Sequence, residues 1–168
     1  MRWDAIREVN LPEHVVGALF LTSMLGRQRP LQQDIEKAKA LGVTAVISLS
    51  PRDEVEEKSP QYAQALREGG LPWPVEFLPI DNGGVPTNLQ AYREAVQGLA
   101  ERIRRGQRLL LHCAGGLGRT GLVAISILMA LGVPLEEATD RVRKAGSSPE
   151  TPEQWQFLRL LGQGYLSS

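Results

Sequence analysis

Cysteine occurs once and histidine twice in 168 residues. One cysteine excludes an intramolecular disulfide framework, and with two histidines it excludes a Cys/His zinc cluster. No excess of either charge exists, because Lys+Arg and Asp+Glu both number 19. A balanced chain has no global basic field to draw in nucleic acid or an anionic membrane. Long hydrophobic runs are missing too. The longest, Leu122 to Val133, is interrupted by Ser126 and falls far short of a membrane span. The first ten residues, MRWDAIREVN, mix both charges and lack the apolar centre of a signal peptide. No internal repeat, low-complexity tract or Gly/Ser-rich linker divides the chain. These absences predict a single domain over residues 1–168, a monomer, in the cytoplasm, with no metal and no cofactor. At 42% hydrophobic and 23% charged residues, the chain has the means to bury a core without staples.

What is present is a series of short alternating elements punctuated by glycine and proline. Val15 to Leu21 reads as a first strand, weakened by Gly17, and Val43 to Leu49 as a β-branched buried strand ended by Ser50-Pro51. Val75 to Leu78 is a short strand, and Leu109 to Leu111 a fully apolar one leading into His112-Cys113. Helical spacing runs from Leu31 to Leu41 and stops at Gly42; Pro60 to Arg67 closes at Gly69-Gly70. Asn88 is an N-cap for a helix whose apolar face is Leu89, Tyr92, Val96, Leu99 and Ile103. Leu122 to Leu131 is apolar nearly all round and so predicts a buried helix, followed by helices over Pro134 to Lys144 and Pro152 to Leu161. Strands alternating with helices predict an α/β fold: a central, mostly parallel sheet of four or five strands flanked by helices.

The sharpest feature is His112-Cys113-Ala114-Gly115-Gly116-Leu117-Gly118-Arg119-Thr120, set between a strand and a buried helix. In a parallel α/β sheet, ligands bind beyond the carboxyl ends of the strands. A glycine-rich loop there, opening into a helix, aims consecutive backbone N–H groups at a concave anion site. Arg119 adds a planar fork able to grip two phosphate oxygens. Cysteines beside a helix N-terminus and a cation have pKa values lowered to roughly 3.5–7.5. One electrostatic arrangement thus serves both oxyanion and thiolate. A lone cysteine is most often a small buried residue. A chance match to H-C-x-x-G-x-x-R-[S/T] is, however, on the order of 10⁻⁵ from average residue usage.

HCAGGLGRT matches the HCxxGxxR[S/T] signature, and the chain resembles the cysteine-dependent protein tyrosine phosphatase superfamily from about Gly17 to Leu161. Its shortness is similar to the dual-specificity branch. Phe77-Leu78-Pro79-Ile80-Asp81 and Thr151-Pro152-Glu153-Gln154 are similar to the kinase-associated phosphatase group. The resemblance implies a phosphatase-type fold and metal-independent hydrolysis of phosphomonoesters through a phosphocysteine, on phosphotyrosine and/or phosphoserine/threonine of a phosphoprotein or phosphopeptide.

It also implies roles. Cys113 is the nucleophile, Arg119 the phosphate clamp, and Ala114, Gly115, Gly116, Leu117, Gly118 and Arg119 the cradle. Asp81, 32 residues before Cys113 and followed by the flexible Asn82-Gly83-Gly84, is the proton donor to the leaving oxygen. Read without the resemblance, Asp81-Asn82-Gly83 is a polar turn. Thr120 donates to the cysteine sulfur and His112 holds the loop through backbone hydrogen bonds, its ring turned from the pocket. Gln154 either positions the hydrolytic water or completes a capping box from Thr151. Arg52, in Ser50-Pro51-Arg52-Asp53 after a strand, rims the pocket or is merely solvated. The uncharged residues between Cys113 and Arg119 argue for a singly phosphorylated target, and the absence of a tyrosine from the 50–53 loop for a shallow site.

Two other classes use a similar loop. A sulfurtransferase of the rhodanese kind holds a sulfane sulfur on a loop cysteine, and a silent module would bind phosphate without turnover. His112, Arg119-Thr120 and Asp81 argue against the first; intact Cys113, Arg119 and Asp81 argue against the second.

Overall fold

The structure, a computed structural model, describes residues 5–166. Five strands form one sheet: β1 (Arg7–Glu8), β2 (Ala18–Thr22), β3 (Ala45–Ser48), β4 (Val75–Phe77) and β5 (Arg108–His112). Their spatial order is β1-β2-β5-β3-β4. All neighbours are parallel except β1, which runs antiparallel to β2 at the edge. The apolar run Leu109-Leu110-Leu111 is the sheet's centre, paired on both sides, which is why it carries no polar residue.

Among the described residues seven helices accompany the sheet: α1 (Leu31–Ala40), α2 (Arg52–Lys58), α3 (Pro60–Glu68), α4 (Leu89–Arg104), α5 (Gly118–Ala130), α6 (Leu135–Lys144) and α7 (Pro152–Leu166). The period-2 alternation of the strands divides the core between the two faces. Leu19, Leu21, Ala45, Ile47, Leu109 and Leu111 pack with α4–α7 residues such as Val96, Ile125, Val142 and Leu158. Ala18, Phe20, Val46 and Leu110 pack with Ile35, Val55 and Tyr62 of α1–α3. The α/β expectation of four or five mostly parallel strands flanked by helices is met.

Element bounds differ in three informative places. β2 starts at Ala18 rather than Val15: Val16 is 76% exposed, and a side chain at Gly17 would collide with the backbone oxygens of Gln107 and Ile103. α5 begins at Gly118, inside the glycine-rich loop, and not at Leu122, so every residue from Gly118 to Met129 is buried. The segment after β3 is not a loop. Arg52–Lys58 is a helix, α2, of which only Val55 is buried. Its sequence, RDEVEEK, offers one apolar residue in seven and therefore no periodicity to read.

Candidate active site

The buried strand β5 delivers His112 and Cys113 to its carboxyl end, and the chain turns through Ala114–Leu117 into α5. Gly116 is required at this turn twice over. Its φ is +79°, and a Cβ there would lie 2.7 Å from the backbone of Thr22 and Ser23. The close approach is of backbone to the neighbouring β2 strand end, so the loop is clamped against the sheet. α5 is brought in equally tightly at Gly121, where a Cβ would stand 2.7–2.8 Å from the backbone of Ser148.

The Cys113 sulfur sits at the floor of a cavity of about 240 Å³ lined by Arg27, Lys58, Asn82, Ala114, Gly115, Leu117, Gly118, Arg119 and Glu150. Two donors face it. Thr120 Oγ1 donates to Sγ at 3.0 Å and the Gly116 N–H at 3.2 Å. The first comes from the opening turn of α5 and the second from the loop before it, a concentration of partial positive charge suited to an anionic acceptor.

Arg119 is 2% exposed and is oriented by α2. Its Nη1 and Nη2 bond the two carboxylate oxygens of Glu54 at 3.2 and 3.0 Å, and Nη1 also donates to the Ile80 carbonyl at 2.9 Å. A guanidinium has five N–H bonds. Glu54 and Ile80 take three, all on Nη1 and the inner side of Nη2. The two that remain, Nε–H and the second N–H of Nη2, share one edge. Glu54 therefore fixes the fork without occupying that edge. Burial pushes the Glu54 carboxyl up, but the Ser50 hydroxyl beside it and the Arg119 guanidinium outweigh this and hold it below the ordinary carboxylate range.

His112 lies beneath the loop, fully buried and turned from the cavity. Its Nδ1 faces the Cys113 carbonyl at 3.2 Å and its Nε2 faces the Tyr62 hydroxyl at 2.8 Å. A carbonyl only accepts, so Nδ1 carries the proton and Nε2 accepts from Tyr62. Burial lowers the His112 pKa to about 4, so the ring is neutral near pH 7. Burial likewise raises that of Tyr62, keeping its hydroxyl a donor.

Asp81 opens the turn that follows Ile80, with the Gly84 N–H donating to its carbonyl at 2.8 Å. Its side chain is exposed and does not line the cavity; the adjacent Asn82 does. Gln154 is fully buried and wholly engaged in structure. Its Oε1 accepts from the Glu150 N–H at 2.8 Å and the Thr151 N–H at 3.3 Å, while Thr151 Oγ1 accepts from the Gln154 N–H at 3.2 Å. That is the capping box, with Pro152 at the first helical position. Gln154 Nε2 and Thr151 Oγ1 then reach the carbonyls of Gly84 and Gly83 at 3.1 Å, tying the Asp81 turn to α7. Arg52 does not rim the cavity. As the first residue of α2 it lays its guanidinium 4.5 Å over the Phe77 ring.

The structure thus brings Cys113, Arg119, Thr120 and the 114–118 backbone together, and leaves Asp81 at the margin and Arg52 outside. Sequence reading missed Glu54, Tyr62, Arg27, Lys58 and Glu150. Glu54 and Lys58 lie in a stretch without periodicity; Arg27, Tyr62 and Glu150 come from three other parts of the chain with no motif to link them.

Comparison with known proteins agrees with this geometry. Residues 18–167 match the family model described as the DSP-PTPase phosphatase domain of "Swiss Army Knife" proteins. Cyclin-dependent kinase inhibitor 3 of Rattus norvegicus is 28% identical over 149 residues, 84% of this chain and 69% of the relative. The Homo sapiens protein of the same name is 27% identical over 162 residues, 93% of this chain and 75% of the relative. Among solved structures, kinase associated phosphatase with its catalytic-site cysteine replaced by serine superposes with a TM-score of 0.80, at 24% identity, over 97% of this chain and 96% of that one.

Proposed function

Because the chain belongs to the DSP-PTPase family of cysteine-dependent dual-specificity and tyrosine phosphatases, whose general mechanism runs through a phosphocysteine, we propose that Cys113 is the residue that becomes phosphorylated. The observation that carries this reading is the pairing of a sulfur facing two donors with an Arg119 edge left open in the same cavity. The phosphoryl group of a phosphomonoester lies in the cradle, two oxygens on the Nε–H and Nη2–H of Arg119 and the third on loop N–H groups. Cys113 Sγ attacks phosphorus, the S–P bond forms and the P–O ester bond breaks. The leaving oxygen takes a proton from Asp81. Water then attacks phosphorus, giving its proton to the Asp81 carboxylate, and the S–P bond breaks to return a thiolate. Hydrogen bonds from Thr120 and Gly116 stabilise that leaving sulfur.

Asp81 reaches the leaving oxygen only when its turn moves over the cavity. The hydrogen bonds from Thr151 and Gln154 to the carbonyls of Gly83 and Gly84 hold that turn beside the start of α7. Arg27 and Lys58 at the mouth attract the dianion, while the uncharged residues between Cys113 and Arg119 suit one phosphate at a time. The substrate is a phosphoprotein or phosphopeptide bearing phosphotyrosine or phosphoserine/threonine. Balanced charge, without a global basic field, supports action on protein and not on nucleic acid or an anionic membrane. No helix among the described residues is long and apolar enough to cross a membrane.

The test is hydrolysis of 4-nitrophenyl phosphate in excess chelator. Wild type turns over; Cys113→Ser and Arg119→Ala lose activity by at least about 10²-fold. Full activity in Cys113→Ser, or turnover only after metal is added, overturns the reading.

A further inference from the structure

Both ends of Gly116 are held, and the second hold comes from a part of the chain outside the signature. Its N–H points to the Cys113 sulfur. Its carbonyl points away from the cavity and accepts from Ser147 Oγ at 2.6 Å and from Arg7 Nη2 at 3.0 Å. Arg7 Nη1 donates in turn to Ser147 Oγ at 2.9 Å and to the Ala145 carbonyl at 2.6 Å. Arg7 is 6% exposed and Ser147 1%. Arg7 lies on the edge strand β1, ahead of the residues 18–167 that match the family model, and Ser147 on the turn between α6 and α7.

The peptide joining Gly116 to Leu117 is trans, so a carbonyl turned outward sets the Leu117 N–H inward, and Leu117 lines the cavity. Hydrogen bonding that carbonyl to a guanidinium and a hydroxyl polarises the peptide, making its N–H a stronger donor to an oxyanion. The close approach of Gly116 to Thr22 and Ser23 fixes where the loop lies, and the hydrogen bonds from Arg7 and Ser147 add a hold on how the Gly116–Leu117 peptide is turned.

We propose that Arg7 and Ser147 are positioning residues for the phosphate cradle: by gripping the Gly116 carbonyl they hold the Leu117 N–H toward the substrate's oxygens and the Gly116 N–H toward the Cys113 sulfur. This inference rests on the phosphatase reading above and deepens it.

Three full-length variants and a stability control test it. Arg7→Gln removes the fork, Arg7→Lys keeps the charge but cannot span the carbonyls of Ala5, Ala145 and Gly116 and the Ser147 hydroxyl together, and Ser147→Ala removes one donor to Gly116. Val9→Ala, a buried neighbour just beyond β1, lowers stability without touching the cradle. Competitive inhibition by inorganic phosphate and tungstate is measured together with kcat and KM for 4-nitrophenyl phosphate. The inhibition constants and KM rise about tenfold in Arg7→Gln, or about 1.4 kcal/mol, and about threefold in Ser147→Ala. Arg7→Lys falls between Arg7→Gln and wild type, and Val9→Ala leaves both constants unchanged despite its lower Tm. If Arg7→Gln does not fold, Ser147→Ala and Arg7→Lys decide. Phosphate and tungstate inhibition equal to wild type in those two overturns the proposal while leaving the phosphatase reading intact. A wild type that neither hydrolyses the ester nor binds either anion overturns both.

Discussion

Replacing Glu54 by glutamine separates two effects that pull in opposite directions. The carboxylate neutralises Arg119, so removing it strengthens the field that a phosphate dianion meets. It also holds the guanidinium in place through both oxygens, so removing it frees the fork to turn. The second effect wins on magnitude. Of two charge-assisted hydrogen bonds of about 1.5–3 kcal/mol each, the amide keeps one, since only its oxygen accepts from the guanidinium. Glu54 is 15% exposed at its side chain and Arg119 2%, so solvent replaces little of what is lost. The net cost is about 2 kcal/mol of stability. A fork tilted by even about 1 Å also forfeits on the order of 10²-fold in rate, because the open edge no longer meets two oxygens at once. The assay is steady-state kinetics on 4-nitrophenyl phosphate beside thermal unfolding. Glu54→Gln lowers kcat by about 10–100-fold, with a smaller change in KM. A paired carboxylate held below its ordinary range stabilises the fold above that range and loses its contribution as pH falls through it. Wild type therefore loses more stability than Glu54→Gln on acidification below about pH 4. Turnover in Glu54→Gln equal to or above wild type would refute the view that Arg119 is aimed by this pair.

Asp81→Asn lowers turnover of an alkyl or phosphotyrosine ester by about 10²–10⁴-fold and of an aryl ester with a good leaving group much less. Glu150→Gln, at the cavity wall, stays within about threefold of wild type, a difference under 1 kcal/mol; the reverse result moves the acid to Glu150. Thr120→Val slows release of phosphate from the phosphoenzyme more than its formation, which stopped-flow kinetics reads as a larger burst relative to the steady state. Tyr62→Phe leaves His112 Nε2 buried without its donor and costs about 1–3 kcal/mol in denaturant titration. With a folded His112 pKa of about 4 against an ordinary 6.5, the unfolded chain binds the extra proton between these values. Stability therefore falls as pH drops through that window, by up to about 1.4 kcal/mol per pH unit, and His112→Asn flattens this limb of the Tm–pH curve.

The parallel sheet was legible because its central strand, Leu109-Leu110-Leu111, is buried on both faces and must be apolar throughout. The loop was legible because an anion site of backbone N–H groups needs glycine at fixed places and an arginine one step into the helix. What escaped was everything that acts across the fold. Glu54 sits on a helix with a single buried residue, held by contacts and not by periodicity. Arg7 and Tyr62 are each one polar residue in an unremarkable stretch, and their partners are 109 and 50 residues away. Gln154 could be read two ways from sequence, since a capping box and a water-positioning amide use the same residue. Its buried side chain is taken up by the helix start and the Gly84 carbonyl.

The most direct measurement is the rate at which iodoacetamide alkylates Cys113 at one fixed pH, followed by mass spectrometry with and without tungstate. If the Cys113 sulfur lies in the cradle that binds an oxyanion, rising tungstate slows modification to a stop in the wild type, and Arg119→Ala loses that protection. Modification at the same rate whether or not tungstate is present contradicts the account.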